Sequence, residues 1–352
     1  MPTRHKRLAS WWQAFRFHYV PPSFLPAMLG GVIAWAYTGS FHFLSFFLTV
    51  LGVTLNHIAL NLSDDYFDYR QSVDLAKDSE KNQYSGGSGT LTAGLLIPGH
   101  IRKAYVCFYL STIFIGLALT IFRGWPVLIF GAFGVACAYF YTAPPIRYGY
   151  HGFGEISQLL NFSLTIGLGS YFVQAQHLSW EAAVGVLPLG FLMFSMITIN
   201  AIPDRAIDKA GRKRTLVVIF GAQAAVLFYG LGLVCAYLII LLAPLVCLAS
   251  YWIYLSLLSF PLAWQAFQIL KRNYTDSQKM APANALTIQV HNLTGNLLIL
   301  AYLFHGIQNK PGLDPAVGPI LLLLVIFNLP VWLTVFFHVL AIKPGERTIA
   351  GG

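Results

Sequence analysis

Charged side chains are scarce in this sequence: 10% of its 352 residues are Asp, Glu, Lys or Arg, against about 25% in a typical soluble domain. Hydrophobic residues make up 57% of the chain, where about 45–50% is usual. Such a small number of charges cannot cover the surface of a water-soluble particle of this size. The composition therefore excludes an ordinary soluble enzyme, a disordered chain and a basic nucleic-acid-binding protein.

Cysteine is also rare. The four cysteines lie inside apolar stretches without paired spacing: Cys107, Cys137, Cys235 and Cys247. This pattern excludes a disulfide framework or a cysteine-based metal site and is typical of small buried residues. The sequence also has no Walker A, His-Glu-x-x-His or Gly-x-Ser-x-Gly motif, which excludes ATPase, zinc protease and serine hydrolase functions.

Apolar residues are abundant and recur in blocks of about 20, the length of a helix that spans a bilayer. The apolar run 216–267 is too long for one such helix, so we expect a break near Pro244. The pattern predicts an all-α, polytopic membrane helix bundle with ten spans, at about 19–38, 41–62, 104–122, 125–141, 153–175, 182–202, 215–238, 242–267, 284–305 and 316–341.

The basic residues indicate the orientation of these spans. With the N-terminus inside, every Lys and Arg except Arg123 and Lys310 lies on the inner side. This distribution follows the positive-inside rule. We therefore expect a multi-pass protein of the inner or plasma membrane whose N-terminus faces the cytoplasm, together with the loops after the second and sixth spans.

The second predicted span ends in a cluster of acidic residues. If its helix continues, Asn61, Asp65 and Asp68 share one face at positions i, i+4 and i+7. Carboxylates on one helix face repel one another, and the C-terminal end of a helix dipole disfavours them further. A bound cation would offset this repulsion, and oxygen ligands completed by phosphate are typical of Mg²⁺. The alternative is a solvated acidic loop that merely ends the helix.

The sixth predicted span ends in a similar cluster, in which Asn200, Asp204 and Asp208 lie at i, i+4 and i+8. The repetition of the Asn-x-x-x-Asp spacing favours metal binding at both clusters. Basic residues accompany them, among them Arg70, Lys77, Lys213 and Arg214. The positive-inside rule alone explains basic inner loops, but magnesium and cations beside a membrane favour an anionic phosphate substrate with a lipid tail.

Three segments resemble motifs of the UbiA superfamily of intramembrane prenyltransferases, in particular the MenA-type branch that prenylates 1,4-dihydroxy-2-naphthoate. They are 61–74 (NLSDDYFDYRQSVD), 141–155 (YTAPPIRYGYHGFGE) and 200–216 (NAIPDRAIDKAGRKRTL). A weaker similarity covers 86–98 (GGSGTLTAGLLIP). The chain departs from the family pattern at Asp64, where Asn is usual, and in its tenth span, because the family typically has nine helices.

This resemblance implies a single transmembrane prenyltransferase domain over 1–352, with a family-like core at about 10–305 and an extra helix at about 316–341. It implies nine to ten helices around a central cavity open to membrane lipid. There Mg²⁺ would bind a polyprenyl diphosphate, held by Asp65 and Asp68 on one side and by Asp204 and Asp208 on the other. The products would be diphosphate and a prenylated aromatic acceptor, in menaquinone biosynthesis.

The resemblance also implies roles for neighbouring residues. Asn61 and Asn200 would be neutral partners of the metal sites, and Lys213 and Arg147 would neutralise the diphosphate. The ring of Tyr141 would stabilise the allylic cation by cation–π attraction, and Gln158 and Asn161 would line the cavity. Arg16 is either a contact for an acceptor carboxylate or a headgroup anchor.

Two alternatives remain at the level of the sequence. Within the family, the acceptor could instead be a glycerophosphate lipid, a chlorin, haem or homogentisate. Outside it, intramembrane acids can mark a cation-coupled transporter, although no predicted span has an acidic residue near its middle. Prenyl chain length, the group that deprotonates the acceptor and the oligomeric state are not readable from the sequence.

Overall fold

The computed structural model describes residues 4–71, 84, 86–310 and 314–341, and over these residues it contains helices but no strand. Short 3₁₀ turns and loops join the helices. Their bounds are α1 Arg4–Phe15, α2 Pro21–Thr38, α3 Phe43–Arg70, α4 Pro98–Arg123, α5 Pro126–Phe140, α6 Gly154–Leu160, α7 Gly169–Ala175, α8 Trp180–Ala210, α9 Leu216–Phe220, α10 Ala222–Leu242, α11 Phe260–Asn273, α12 Ser277–Gln308 and α13 Val317–Ala341.

Helical segments occupy all ten positions at which the hydrophobic pattern predicts a span. Among the described residues, six segments are long and apolar enough to cross a membrane by themselves: Phe43–Arg70, Pro98–Arg123, Gly154–Ala175, Trp180–Ala210, Ala222–Val246 and Tyr251–Asn273. Pro126–Phe140 and Val317–Leu329 are apolar but shorter. The predicted polytopic helix bundle is confirmed.

Helix α2 lies at the centre of the bundle and packs against α3, α7, α8 and α12. It is buried from Pro21 to Ala36. A Cβ atom at Gly30 would lie 2.0 Å from the backbone oxygen of Gly167, so only glycine permits this approach of the two backbones. Close packing through small residues is the usual way in which membrane helices associate, because lipid provides no hydrophobic driving force between them.

Two spans depart from regular α-helix. Between α6 and α7 the chain forms a π-helical segment, Asn161–Leu168, inside one continuous span; such segments are frequent at functional sites. The long apolar run breaks after α10 at the 3₁₀ turn Ala243–Val246 and resumes as the 3₁₀ segment Tyr251–Ser259, which leads into α11. This break falls where Pro244 led us to expect it.

The last helix, α13, packs against α2 and α12 through one polar and one aromatic contact. Asn296 and Asn328 exchange side-chain hydrogen bonds in both directions, of 3.2 and 3.1 Å. The rings of Phe24 and Phe327 lie 5.6 Å apart. An amide pair of this kind leaves neither side chain unsatisfied in an apolar setting, which explains how an additional helix docks on the core.

Candidate active site

The C-terminal ends of α3 and α8 meet at a polar cavity of about 180 Å³. Its wall also includes residues from α2, α6 and the segments that precede α2 and α9. Eight of the residues predicted from the sequence to form the site line this one cavity: Asn61, Asp68, Tyr141, Gln158, Asn200, Asp204, Asp208 and Lys213.

The first acidic cluster lies on an unbroken helix, because α3 continues to Arg70. Asp65 accepts a hydrogen bond of 2.9 Å from the backbone N–H of Ser88 and lies 3.4 Å from the guanidinium of Arg16. Asp68 accepts a hydrogen bond of 2.5 Å from the Tyr150 hydroxyl. The second Asp68 oxygen lies 3.1 Å from Lys213 Nζ. Both carboxylates are buried. Each of them contacts one cation and accepts one hydrogen bond from a neutral donor.

The second acidic cluster lies on α8, which continues past Pro203 to Ala210. Asp204 accepts a hydrogen bond of 2.6 Å from the backbone N–H of Gly86, and Asn200 accepts one of 2.7 Å from the Asn284 side chain. Asp208 is buried. The backbone of residues 86–88 thus bridges the two clusters, since its N–H groups bind one carboxylate on each helix.

The segment 141–155 forms a compact turn around the ring of Tyr141. The N–H of Gly149 donates to the Tyr141 carbonyl over 3.0 Å, and a Cβ at Gly149 would come within 3.0 Å of the ring. A Cβ at Gly154 would lie 3.3 Å from the same ring. The two glycines therefore make room for the ring at the cavity wall.

Glu155 connects this turn to the helix that follows the second cluster. Its Oε1 accepts a hydrogen bond of 2.8 Å from the backbone N–H of Leu216, at the start of α9. The backbone N–H of Arg214 donates to the Tyr150 carbonyl over 3.0 Å. These two contacts fix the segment that carries Lys213 against the Tyr141 turn.

Lys213 lines the cavity together with Arg16, and 12% of the Lys213 side chain is exposed. Burial disfavours its charge, but the surrounding carboxylates, foremost Asp68 and Asp208, outweigh that effect and hold the pKa of the ammonium group well above its usual value. Burial and the Asp68 carboxylate raise the pKa of Tyr150, so its hydroxyl stays protonated and donates. The Lys213 ammonium group therefore places a positive charge beside the two acidic clusters.

The remaining predicted residues lie at or outside the edge of this cavity. Arg147 donates a hydrogen bond of 2.6 Å to Gln71 and lies over the Tyr150 ring. Arg70 is exposed and donates to Tyr66. The side chain of Arg214 is also exposed. Asn161 lines a small adjoining pocket, and Lys77 lies outside the described residues.

Several residues that the sequence analysis did not assign to the site contribute to it, notably Tyr150, Glu155 and Ser88. Tyr150 and Glu155 belong to the motif 141–155, so the similarity of this motif to the family could have indicated that they contribute to the site. Asp64, rather than its neighbour Asp65, lines the cavity directly. Ser88 belongs to the segment of weaker similarity 86–98, but the residue type does not indicate its role, since its contribution is a backbone N–H.

The oxygen-rich walls fit a magnesium ion. One oxygen each of Asp64 and Asp65 is buried and has no hydrogen-bond partner among the described residues, and carboxylate oxygens are the ligands that Mg²⁺ prefers. Over the same residues, no three His, Cys, Asp or Glu side chains converge as a preformed metal cluster. Arg16, Lys213 and the backbone of 86–88 instead hold the carboxylates in this structure.

Comparison with known proteins places these features in a family. A profile of the UbiA prenyltransferase family matches residues 23–293. A Bacillus subtilis protein named 1,4-dihydroxy-2-naphthoate octaprenyltransferase is 26% identical over 292 residues, which cover 83% of this chain and 91% of that protein. The Escherichia coli protein of the same name is 28% identical over 302 residues, 84% of this chain and 95% of that one.

The fold has counterparts among solved structures. A UbiA homolog from Archaeoglobus fulgidus, bound to DMAPP and Mg²⁺, superimposes with a TM-score of 0.56. The alignment covers 86% of this chain and 100% of that one, at 16% sequence identity. At this level of identity the likeness concerns the fold, in which the helices of the two chains follow the same course.

Proposed function

Because the chain belongs to the UbiA prenyltransferase family, we propose that it transfers a polyprenyl group from an allylic polyprenyl diphosphate to 1,4-dihydroxy-2-naphthoate, with Mg²⁺ as its cofactor. The observation that carries this proposal is the meeting of two acidic clusters and Lys213 in one polar cavity at the C-terminal ends of α3 and α8. Two relatives named for this activity, each aligned over more than four-fifths of the chain, support the acceptor.

The acidic clusters would hold magnesium. Asp65 and Asp68 on α3, and Asp204 and Asp208 on α8, supply carboxylates, while Asn61 and Asn200 supply neutral oxygen atoms. Magnesium, when bound, neutralises the diphosphate and makes it a better leaving group. The homologous fold with Mg²⁺ and DMAPP supports this assignment.

The cations of the chain would bind the diphosphate itself. Lys213 projects into the cavity with its charge maintained by the surrounding carboxylates, and Arg147 lies at the edge of the same turn. Positive charge that is already in place where negative charge develops lowers the barrier, since no reorganisation is needed during the reaction. The exposed Arg70 and Arg214, together with Lys77, would attract the anionic substrate to the inner face.

The reaction breaks the bond between the prenyl carbon and the diphosphate oxygen, and the allylic cation has to be protected from water. The ring of Tyr141 would face this cation, because an aromatic face attracts positive charge without acting as a nucleophile. Gln158, and Asn161 beyond it, would orient the acceptor. The acceptor ring then forms the new carbon–carbon bond and loses a proton, and the diphosphate, which carries the electron pair of the broken carbon–oxygen bond, is released.

The proposal includes the domain organisation of the chain and its orientation in the membrane. The chain would act as one domain over 1–352, with a core at about 10–305 and an extra helix at about 316–341. Its active-site loops and N-terminus would face the cytoplasm, where both substrates carry their charged groups. The relevant membrane is the inner or plasma membrane, in which the polyprenyl tail remains.

The test uses the full chain in detergent with Mg²⁺, a labelled polyprenyl diphosphate and 1,4-dihydroxy-2-naphthoate. We expect a prenylated naphthoquinol whose formation stops when EDTA is added. Cleavage of the diphosphate without that product would refute the acceptor but keep the reaction class. Folded protein that cleaves no donor of any chain length, yet transports a cation into proteoliposomes, would refute the enzyme assignment.

A further inference from the structure

A histidine lies beside the polar cavity, on the same helix as the first acidic cluster. His57 is 6% exposed and lines both the polar cavity and the small pocket that adjoins it. Along the axis of α3 it lies ~6 Å from Asn61 and ~12 Å from Asp65, at 1.5 Å per residue. The imidazole is therefore near the middle of α3, whereas the carboxylates that would hold magnesium are near its C-terminal end.

The imidazole of His57 is held in one orientation from two sides. Its Nδ1 is hydrogen-bonded to the Ser23 hydroxyl, and Ser23 is itself buried in the first turn of α2. The ring of Phe162, in the π-helical segment, meets the imidazole edge-on, with 5.4 Å between the two ring centroids. Because imidazole is planar and rigid, these two contacts also fix the direction of its second nitrogen, Nε2.

The Nε2 atom of His57 is available to a ligand. Over the residues that the structure describes, the one hydrogen bond of this ring is that of Nδ1 to Ser23. Whether Nε2 donates or accepts depends on the tautomer, which the Nδ1 bond sets. A hydroxyl group pairs with Nε2 in either tautomer, since a hydroxyl both donates and accepts.

The surroundings of His57 fit an aromatic ring that carries such a hydroxyl. Leu60 and Phe162 line the polar cavity and the adjoining pocket together with His57, and so does the amide of Gln158. The apolar side chains can cover the face of a ring, but a hydroxyl buried among them needs a hydrogen-bond partner. His57 Nε2 supplies that partner on the side of the cavity away from the magnesium carboxylates.

We propose that His57, positioned by Ser23, recognises a ring hydroxyl of the aromatic acceptor through Nε2 and thereby orients the ring for attack on the allylic carbon. This inference rests on the proposed function and adds to it the residue that selects a hydroxylated acceptor. A site built to hydrogen-bond a hydroxyl rejects an analogue that lacks it, because its own buried polar group is then left unpaired.

The experiment measures how tightly ring analogues compete with 1,4-dihydroxy-2-naphthoate in the prenyl-transfer assay. The analogues are 1-hydroxy-2-naphthoate, 4-hydroxy-2-naphthoate and 2-naphthoate, which differ only in their hydroxyl groups. For the wild-type protein we expect one of the two monohydroxy analogues to bind about 5- to 150-fold more tightly than 2-naphthoate, the usual effect of one buried group left unpaired. In His57→Ala this preference should disappear.

Three further variants separate recognition from a structural effect. His57→Gln should keep most of the preference, since the amide of Gln also donates and accepts. Ser23→Ala retains the imidazole but removes its anchor, so it should weaken the preference. The matched control is His291→Ala, because His291 is fully buried on α12 but lines neither the polar cavity nor the adjoining pocket. It should leave the preference unchanged.

The outcomes distinguish this role from the proposed function. A preference that persists in folded His57→Ala, or that His291→Ala abolishes as well, would overturn the role of His57. If His57→Ala does not fold, an undiminished preference in Ser23→Ala would overturn it. Wild-type protein that prenylates 1,4-dihydroxy-2-naphthoate but binds all three analogues equally would also overturn it and leave the proposed function intact. Wild-type protein that transfers no prenyl group would contradict the proposed function itself.

Discussion

Lys213 Nζ lies 3.1 Å from Asp68 Oδ2, although 145 positions separate the two residues in the chain. Asp68 belongs to the last turns of α3, and Lys213 to the segment between α8 and α9. Both side chains are nearly buried, with 9% of Asp68 and 12% of Lys213 exposed. The pair therefore links the acidic cluster on α3 to the segment that follows the acidic cluster on α8, inside the bundle. This contact sets a positive charge against the negative charge of Asp68 in the polar cavity.

Replacement of Lys213 should therefore remove activity without removing the fold. For Lys213→Met we expect kcat to fall by about 10²–10³, the usual effect of losing one preorganised group that stabilises developing negative charge. Lys213→Arg keeps the charge and should retain more activity. The control is Lys209→Met, because Lys209 is exposed in the last turn of α8, four positions before Lys213. Equal turnover by Lys213→Met and wild-type protein would exclude Lys213 from diphosphate binding.

Removal of one carboxylate from either acidic cluster should have a metal-dependent effect. Asp68→Asn and Asp204→Asn keep the size of the side chain but remove a charged oxygen ligand for Mg²⁺. We expect turnover at saturating substrate to fall and the Mg²⁺ concentration for half-maximal activity to rise. A titration of activity against Mg²⁺ measures both quantities.

The control for this titration is Asp276→Asn. Asp276 caps α12 through hydrogen bonds from the N–H groups of Gln278 and Lys279, and Asn is an equally good N-cap residue. Its Mg²⁺ dependence should match that of the wild type. If Asp68→Asn and Asp204→Asn also matched the wild type, neither cluster would be a magnesium site.

The amide pair between α12 and α13 should contribute to stability but not to prenyl transfer. Hydrogen bonds between membrane helices contribute about 0.6 kcal/mol on average and up to about 1.7 kcal/mol. A double-mutant cycle with Asn296→Ala and Asn328→Ala, measured by unfolding in mixed detergent, should give a coupling energy in this range. Additive effects of the two substitutions would show that the pair does not hold α13 in place.

We expect Glu155 to stabilise the segment that carries Lys213, because its Oε1 accepts a hydrogen bond from the Leu216 N–H. Glu155→Ala leaves that N–H without its acceptor, which costs about 1–3 kcal/mol for a buried group. Glu155→Gln retains an oxygen at the same place and should unfold near the wild-type temperature. Thermal unfolding in detergent distinguishes the two. If Gln and Ala destabilised equally, the charge of Glu155 and not its hydrogen bond would be the stabilising feature.

The helices of this protein could be predicted because their signal is local. Apolar blocks of membrane-spanning length give the ten helical segments, and Pro244 marks the break in the longest run. The acidic clusters could also be placed at helix ends, since the i, i+4 spacing of Asn61 and Asp65 is a property of any α-helix. The extension of α3 to Arg70 follows the same periodicity.

The partners of these clusters could not be predicted in the same way. Ser88 binds Asp65 through a backbone N–H. Every residue except proline has this group, so the similarity of segment 86–98 to the family does not tell which residue makes the contact. Tyr150 reaches Asp68 only because the turn 141–155 folds back over α3. Arg147 and Arg214 belong to the same motifs as residues that line the cavity. The backbone nevertheless directs Arg147 to the edge of the cavity, where it contacts Gln71, and Arg214 to the surface of the protein.

The sequence by itself determined the class of the protein, the positions of its helices and the residue types gathered at the C-terminal ends of α3 and α8, because hydrophobic length and helical periodicity act over neighbouring residues. The tertiary structure alone decided which cation pairs with which carboxylate, that Asp64 faces the cavity beside Asp68, and that the backbone of residues 86–88 bridges the two acidic clusters. These features depend on contacts between residues far apart in the chain, which form only when the helices pack.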